Sequence, residues 1–274
     1  MTRRRFHALP SAFDFENQTV TLRADEARHL RDVLRLKTGD EVYVFNGTGR
    51  EFRCTIVNTA RDSAELRIES EVEPAKPESQ LQLKLGVALL KGEKFDLVVQ
   101  KATELGVSMV VPLITRYADI QLRDGADAGK RVARWQRIAL EAAKQSGRAF
   151  VPEVSAPISF DSFFEGTKDA ELCLMFSERD GGGLWLISGR APRSVTALVG
   201  SEGGWSDEEI ELAREHEFHV ITLGGRILRA ETAAIAATAL LQHLFADLQL
   251  RPGEARVPED RGGHGHAGPE RGGQ

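Results

Sequence analysis

The sequence predicts two domains, a small β-barrel within residues 1–72 and an α/β domain with a parallel sheet over residues 79–250. Three observations support this prediction. Apolar residues in the N-terminal part alternate with a period of two, the segment EVEPAKPESQ has the composition of a linker, and long apolar runs then alternate with amphipathic helices. A chain of 274 residues is also long enough for two domains.

The N-terminal part combines one helix with several short strands. Residues 21–35 show the apolar spacing of a helix, with Ala27, Leu30, Val33 and Leu34 on one side. The segment GDEVYVFNGTGREFRCTIV alternates apolar and polar residues around an Asn-Gly turn, and AELRIES continues the alternation. Consecutive short strands of this kind predict a small β-barrel.

The second part alternates buried strands with helices. LQLKLGVALL is apolar throughout, EKFDLVVQKATELG predicts a helix that ends at Gly106, and SMVVPLI predicts the next strand. A long helix in GKRVARWQRIALEAAKQSGR, strands at ELCLMF, SVTALVG and HVITLGG, and a last helix at ETAAIAATALLQHLFADLQL follow. This order predicts a parallel sheet. Residues 251–274 are rich in glycine and proline, which predicts a disordered tail.

The composition is that of a globular protein, with 41% hydrophobic and 28% charged residues and no apolar run long enough to cross a bilayer. The basic N-terminus has no apolar stretch behind it, so we expect no secretory signal and a cytoplasmic protein. Cys54 and Cys173 lie outside any metal-binding spacing, which predicts reduced thiols and no metal site. A net charge of −5 leaves nucleic-acid binding open, because local clusters decide it.

Two strand ends in the α/β part are rich in glycine. The first strand runs into GSEGGW at 200–205, before a helix that Ser206 and Glu209 can cap, and the second runs into LGGR at 223–226. Ligands of open α/β sheets bind at the carboxyl ends of the strands, and glycine lets them approach the backbone. The two loops therefore predict one shared pocket.

Motifs for several other chemistries are missing from this pocket. The sequence contains no GxxxxGK[ST] loop, no GxGxxG that opens a helix, no GxSxG elbow and no HExxH. The pocket offers backbone groups, apolar residues, the Glu202 carboxylate and the Arg229/Glu231 pair. Such a set of groups suits a ligand that combines a neutral heterocycle with a cationic group. It suits a triphosphate less well.

The strings LVGSEGGWSDEEI and LGGRILRAETAA resemble the closing motifs of the SPOUT (trefoil-knot) methyltransferases. Within that superfamily they resemble the RsmE family, which methylates N3 of a uridine in 16S ribosomal RNA of the small subunit. RRFH, HLRDVLRLKTGD and LLKGEKFDLVVQKATELGVSMVVPLITRY also resemble family signatures, so that the resemblance spans roughly residues 3–247. Ser201 and Gly225 replace the family's usual prolines, which gives both loops more backbone freedom.

The resemblance implies a SPOUT domain with a knotted parallel sheet, a PUA-like RNA-binding N-terminal barrel, S-adenosylmethionine as cofactor, and 16S ribosomal RNA within the small subunit as partner. It also implies a homodimer packed through the knot, in which the partner completes each active site. The alanine-rich face of the last helix fits close packing between two chains, and an intramolecular contact explains it equally well. This face consists of Ala233, Ala234, Ala236 and Ala237.

The match to the family motifs also implies a set of residues for S-adenosylmethionine. Backbone groups of the two loops would bind the adenine edge, and Leu223 and Leu228 would enclose the ring, although a plain core role fits both leucines equally well. The end of the strand before the first loop would form a third wall. The candidate cofactor-binding residues are Met175, Val199, Gly200, Glu202, Gly203, Gly204, Leu223, Gly224 and Leu228.

Methylation of N3 of a uridine needs help from the protein, because a neutral imide is a poor nucleophile. The site must stabilise the developing imidate charge or remove the proton. We expect Arg229 to stabilise the charge, since a guanidinium is always ionised and offers several donors. Glu231 is either the base, or a residue that orients Arg229, or a first-turn carboxylate favoured by the helix dipole.

Basic residues near the N-terminus and around the first helix of the α/β part are candidates for binding RNA. They are Arg3, Arg4, Arg5, Arg31, Arg35, Lys91, Lys94, Lys101 and Arg116. We expect them to line a groove between the domains, although a solvated surface charge explains any one of them alone. His29 matches a family position and is better explained as a structural residue.

Three other functions stay open at this point. The chain could be a SPOUT methyltransferase for another RNA, an RNA-binding protein with a non-catalytic SPOUT domain, or a dinucleotide-dependent oxidoreductase. Both glycine loops and the Arg229/Glu231 pair argue against the second function. The missing dinucleotide fingerprint argues against the third.

Overall fold

A computed structural model describes residues 3–118, 125–165, 170–246 and 248. The chain forms a six-stranded N-terminal sheet and a seven-stranded parallel sheet flanked by helices. This architecture confirms the predicted fold class. The tail predicted at residues 251–274 lies outside the described residues.

The N-terminal sheet follows the order β1-β4-β5-β6-β3-β2 and is curled around its own core. It is antiparallel except where β1 runs parallel to β4. Its strands are β1 (Arg5–His7), β2 (Phe13–Asp14), β3 (Thr19–Arg23), β4 (Glu41–Phe45), β5 (Glu51–Thr59) and β6 (Ser63–Val72). Helix α1 (Ala24–Arg28) continues into a π-helical turn, His29–Val33.

The helix predicted over residues 21–35 begins later than its apolar spacing indicated. Residues Thr19–Arg23 form β3, in which Val20 and Leu22 are fully buried and pair with β6. Alternation with a period of two thus determines the structure before α1 begins. Leu30 of the predicted helical face does enter the core, whereas Val33 is 68% exposed.

The second sheet is parallel throughout, with the order β10-β8-β7-β12-β11-β13 and with β9 beside β8. Its strands are β7 (Gln82–Ala88), β8 (Met109–Ile114), β9 (Glu153–Val154), β10 (Ile158–Ser159), β11 (Leu172–Phe176), β12 (Ser194–Val199) and β13 (His219–Ile221). The helices are α2 (Lys94–Glu104), α3 (Gly125–Ser146), α4 (Phe160–Phe164), α5 (Asp207–Glu215) and α6 (Ala230–Phe245).

Helices cover both faces of the parallel sheet. On one face α2, α3 and α6 bury Leu85 and Leu174, and on the other face α4 and α5 bury Met175 and Leu198. Burial on both faces explains why these strands are apolar almost without interruption.

The last helix returns across the sheet. Strand β13 lies at the edge, next to β11, but α6 packs against β12 and α2. The segment after β11 crosses the end of β13, where Gly182 N donates to Val220 O at 3.0 Å and Thr222 N donates to Gly182 O at 2.9 Å. This return crossing is the chain path that the predicted knot requires.

The two domains meet at the amino edge of the parallel sheet. The turn between β4 and β5 binds the segment that precedes β9, since Gly49 N donates to Ala149 O at 3.1 Å and Val151 N donates to Gly47 O at 3.0 Å. Strand β9 pairs with the beginning of β8, at Met109. The carboxyl edge of the sheet therefore lies at the end of the strands away from this junction.

Candidate active site at the carboxyl edge

The two glycine-rich loops meet at the carboxyl edge and enclose a cavity. The cavity contains about 480 Å³ of space between atoms, part of which is open to solvent. Its lining consists of Phe176, Ser177, Glu178, Val199, Gly200, Ser201, Gly204, Trp205, Leu223, Arg226, Leu228, Ala230 and Ala233. The ends of β11, β12 and β13 thus share one pocket, in agreement with the prediction from the two loops.

Two glycines keep this cavity free of side chains. A Cβ atom at Gly204 would lie 2.5 Å from Glu178 Oε1, and the φ of +70° at Gly204 is in the left-handed region. A Cβ atom at Gly200 would lie 3.2 Å from the ring of Trp205. A ligand can therefore approach the backbone of this loop closely.

The loop after β12 is fixed by its neighbours. Trp205 is buried and donates its indole N–H to the Phe176 carbonyl at 2.8 Å. The predicted capping box of α5 is present, with reciprocal bonds between Ser206 and Glu209. The second oxygen of Glu209 accepts from Arg116 N at 2.8 Å. One carboxylate thus joins α5 to the segment after β8.

Ser201, which departs from the family pattern, adds a tether to this loop. Its hydroxyl donates to the Tyr117 carbonyl at 3.0 Å, and its own carbonyl accepts from Gly204 N at 3.0 Å. A proline has no hydroxyl with which to make the first of these bonds. The side-chain bond of Ser201 therefore offsets the extra backbone freedom expected at this position.

The candidate cofactor-binding residues divide into two groups. Those that line the cavity are Val199, Gly200, Gly204, Leu223 and Leu228. Glu202, Gly203 and Gly224 are exposed, and a Cβ atom at Gly203 would meet Tyr117 at 2.6 Å. Met175 is buried on the other face of the sheet. Because neighbouring residues of a strand point to opposite faces, Phe176 faces the cavity in its place.

The cavity also has lining residues that the motifs did not indicate. They are Ser201, Trp205, Arg226, Ala230 and Ala233. Trp205 follows the glycine loop directly, so an aromatic residue at this position was the available signal. Ala230 and Ala233 lie one turn apart at the beginning of α6, where helical spacing places them on one side.

A cluster of charged side chains lies next to the cavity. Lys94 Nζ, in the first turn of α2, is 2.6 Å from Glu202 Oε1 and 3.9 Å from Glu231 Oε2. The hydrogen bond to Glu202 raises the pKa of Lys94, and the nearby Glu231 adds to this effect against the opposing charge of Arg229. Lys94 therefore lies with the candidate site residues at the carboxyl edge, outside the groove between the domains.

Glu231 has a buried oxygen without a hydrogen bond. Its side chain is 13% exposed, and its Oε2 atom has no hydrogen-bond partner. Within the described part of the chain no hydrogen bond joins it to Arg229, which is the exposed N-cap residue of α6. Buried polar atoms are rarely left in this state, so Oε2 is available to accept a hydrogen bond from a ligand.

Three of the basic candidates for RNA line a groove between the domains. They are Arg3, Arg4 and Arg5. Lys76 and Lys144, which were not among the candidates, line the same groove. The side chain of Arg5 is only 8% exposed, since it pairs with Glu51 at 3.0 Å and donates to backbone carbonyls of α3 and of the segment after it. Arg5 therefore holds the domains together, whereas Arg4 is exposed in the groove.

The other basic candidates lie elsewhere on the surface. Arg35 and Lys91 are exposed. Arg31 pairs with Asp32, Lys101 with Glu104 and Arg116 with Glu208. The structure thus does not gather all the basic candidates into one groove.

The described residues contain no cluster of His, Cys, Asp or Glu side chains that could hold a metal ion. No described helix is long and apolar enough to span a membrane. Cys54 and Cys173 are both free thiols.

Comparison with protein families assigns a class to both domains. Residues 77–242 match an RNA methyltransferase domain, and residues 22–69 match an RNA methyltransferase PUA domain. The fold and the cavity thus define a two-domain RNA methyltransferase, which confirms the class that the sequence motifs indicated.

Individual relatives narrow this class. The chain is 35% identical to the ribosomal RNA small subunit methyltransferase E of Synechocystis, over 83% of this chain and 74% of the relative. It is 32% identical to that of Rickettsia conorii, over 84% and 91%. A crystal structure of the Neisseria gonorrhoeae protein of this name, bound to S-adenosyl methionine, matches with a TM-score of 0.81 and 33% identity over 90% of this chain and 100% of that one. The chain belongs to the ribosomal RNA small subunit methyltransferase E family.

Proposed function

We propose that this protein methylates N3 of a specific uridine in 16S ribosomal RNA, with S-adenosylmethionine as methyl donor. The observation that carries the proposal is the cavity between the two glycine loops, beside which Glu231 leaves a buried oxygen free. Relatives named for small-subunit ribosomal RNA, and a similar structure from Neisseria gonorrhoeae bound to S-adenosyl methionine, support it.

The residues of the cavity fit S-adenosylmethionine. Leu223 and Leu228 offer apolar surfaces for the adenine ring, and Gly200 and Gly204 leave the backbone accessible to polar atoms of the ligand. The Glu178 carboxylate also lines the cavity, which suits a ligand with a sulfonium and an ammonium group. When bound, this cofactor would supply an electrophilic methyl group, whose bond to sulfur would break to leave a neutral thioether.

The residues beside the cavity prepare the nucleophile. The N3–H proton of the uridine passes to Glu231 Oε2, which leaves the electron pair on N3 for the new bond to carbon. Arg229 stabilises the negative charge that develops on the imide, by the same physics as an oxyanion hole. The free oxygen of Glu231 favours the role of base over that of orienting Arg229.

We also propose a homodimer, within which the partner completes each active site. The groove between the domains and the cavity lie at opposite edges of the parallel sheet, so RNA in the groove of one chain is far from the cavity of that chain. Ala234 and Ala237 of α6 are buried within their own chain, so the alanine face no longer supports a dimer. Trp185 and Ile227 are 72% and 89% exposed and offer apolar surface for a partner instead.

Light scattering after gel filtration tests the dimer. We expect about twice the chain mass of 30.2 kDa. A monomer at micromolar concentration that methylates RNA at the full rate would contradict the shared active site.

A deletion strain tests the reaction in cells. Methylation at N3 blocks the Watson–Crick edge, so reverse transcriptase should stop at the modified uridine of 16S ribosomal RNA in cytoplasmic small subunits. The stop should vanish on deletion and return with the wild-type gene. A stop that persists in the deletion strain, or a methyl group on C5 or on a ribose 2′-hydroxyl, would overturn the proposal.

A further inference from the structure

We infer that Lys94 is a positioning residue of the methyl-transfer site, which holds Glu202 and Glu231 and keeps the free oxygen of Glu231 available to the imide N3–H of the substrate. The inference rests on the proposed function, in which Glu231 receives the N3 proton. It gives Lys94 a role different from the phosphate contact that the sequence indicated.

Lys94 contacts one carboxylate from each glycine-loop region. Its Nζ donates to Glu202 Oε1 at 2.6 Å, in the loop after β12. The distance of 3.9 Å to Glu231 Oε2 is too long for a hydrogen bond and short enough for an ion pair. Lys94 thus balances the charge of Glu231 without occupying the lone pairs with which Oε2 would accept a proton.

The position of Lys94 in its helix points to the same role. It is the first residue of α2, where the helix dipole disfavours a cation. The N-cap residue Glu93 makes no side-chain hydrogen bond to the first turn of the helix. Helix capping therefore does not explain why a lysine follows it. Glu202 and Glu231, both distant in sequence, supply the favourable interactions, so the charged cluster explains this lysine better than the helix does.

Charges of both signs lie close to Glu231. Lys94 of α2 interacts with the carboxylates of Glu202 and Glu231, and Arg229 at the beginning of α6 is near enough to Lys94 for the two cations to oppose each other. Glu178 and Arg226 line the adjoining cavity as one further pair of opposite charges. Loss of the Lys94 ammonium would remove a cation that interacts with both carboxylates, and the imidate would develop closer to uncompensated like charge.

Lys94→Met tests this role, because it keeps most of the length of the side chain and removes the charge. Lys94→Arg keeps the charge, and Lys37→Met removes a lysine that is exposed on the N-terminal domain. Each protein is assayed for kcat at saturating RNA and S-adenosylmethionine. RNA affinity against salt, S-adenosylmethionine affinity by calorimetry and thermal unfolding are measured on the same samples.

We expect Lys94→Met to lower kcat by about tenfold to a hundredfold, a part of what acid–base catalysis contributes. Both affinities and the salt slope should stay within about twofold of wild type, and Lys94→Arg should recover most of the rate. Lys37→Met should match wild type throughout.

Two results would overturn the inference while the wild-type protein makes N3-methyluridine. One is a kcat that Lys94→Met leaves unchanged. The other is a loss confined to the KM for RNA with a salt slope lower by roughly 0.7–0.9, which would make Lys94 an ordinary phosphate contact. A wild-type protein that forms no N3-methyluridine would overturn the proposed function and this inference with it.

Discussion

Two clusters of charged side chains in this protein contain the same kinds of groups. They differ in how many hydrogen bonds their buried carboxylates accept. At the domain junction, the fully buried carboxylate of Glu51 accepts hydrogen bonds from Arg3, Arg5 and the backbone N–H of Ala75. Beside the cavity, the buried Oε2 of Glu231 accepts none, and the nearest ammonium is 3.9 Å away.

We expect this difference to separate charges that stabilise the fold from charges that serve the proposed reaction. A buried charge with all its hydrogen bonds made contributes to the fold, and removing one of its partners is expensive. A buried acceptor that is left without a hydrogen bond destabilises the free protein, and a substrate donor can satisfy it. The first cluster should therefore govern stability and the second should govern rate.

The largest expected effect is on rate, in the cluster beside the cavity. Arg229→Ala should lower kcat by about 10²–10³-fold, the usual loss when a donor to a developing anion is removed. Its free energy of unfolding should stay close to that of wild type, because Arg229 is exposed. Methyl incorporation into RNA measures kcat, and urea unfolding measures the free energy of unfolding. A full rate in this variant would remove Arg229 from the chemistry.

The next effect is on stability, at the domain junction. Glu51→Ala should lower the free energy of unfolding by about 3–5 kcal/mol, because it leaves Arg5 buried without its counter-charge. Glu71→Ala is the matched control on β6, since the Glu71–Arg50 pair is half exposed and should cost at most about 1 kcal/mol. Equal losses in urea unfolding would show that burial does not distinguish the two pairs.

A smaller effect is expected on cofactor affinity. Gly204→Ala places a Cβ atom 2.5 Å from Glu178 Oε1 inside the cavity, so it should weaken binding of S-adenosylmethionine at least about tenfold, or ~1.4 kcal/mol. Gly189→Ala is the control, because Gly189 also has a positive φ but open space around its Cβ position. Calorimetry that finds the same affinity for both variants would contradict the assignment of this cavity.

A further effect concerns pH and the stability of the domain junction. Burial lowers the pKa of His7 to about 4, and the nearby Lys144 adds to this effect. The unfolded chain therefore binds a proton at a higher pH than the folded one does, so His7 reduces the free energy of unfolding as the pH falls from about 6.5 towards 4. His7→Gln should flatten this dependence, and His219→Gln, at an exposed site, should leave it unchanged. If the free energy of unfolding, measured in urea, depends on pH equally in wild type and His7→Gln, the pKa of His7 is not lowered in the folded protein.

Local patterns were sufficient to predict the fold class and the pocket. Strands such as Ser194–Val199 are apolar because they are buried on both faces, and each of the two loops shows its glycines within a few residues. Contacts between distant residues could not be predicted in this way. Lys94 and Glu202 are separated by 108 positions, and nothing in either segment indicates the other. The same holds for Arg5 and Glu51, 46 positions apart, so Arg5 resembled an ordinary RNA-binding arginine.

The side chain at the end of β11 shows an intermediate case. Met175 was a candidate for the cavity because it lies near the carboxyl end of a strand, but the alternation along β11 turns it to the opposite face and Phe176 to the cavity. Period-two alternation was visible in the sequence. Which of the two faces carries the pocket follows only from the packing of α6 on that side.

The most direct test of the proposed reaction uses the purified chain. It is incubated with small ribosomal subunits from the deletion strain and with S-adenosylmethionine carrying an isotope-labelled methyl group, and the digested nucleosides are analysed by mass spectrometry. We expect one labelled N3-methyluridine per subunit, formed about 10²–10³-fold more slowly with Arg229→Ala. Label in any other nucleoside, or no label in RNA despite bound S-adenosylmethionine, would contradict the assignment.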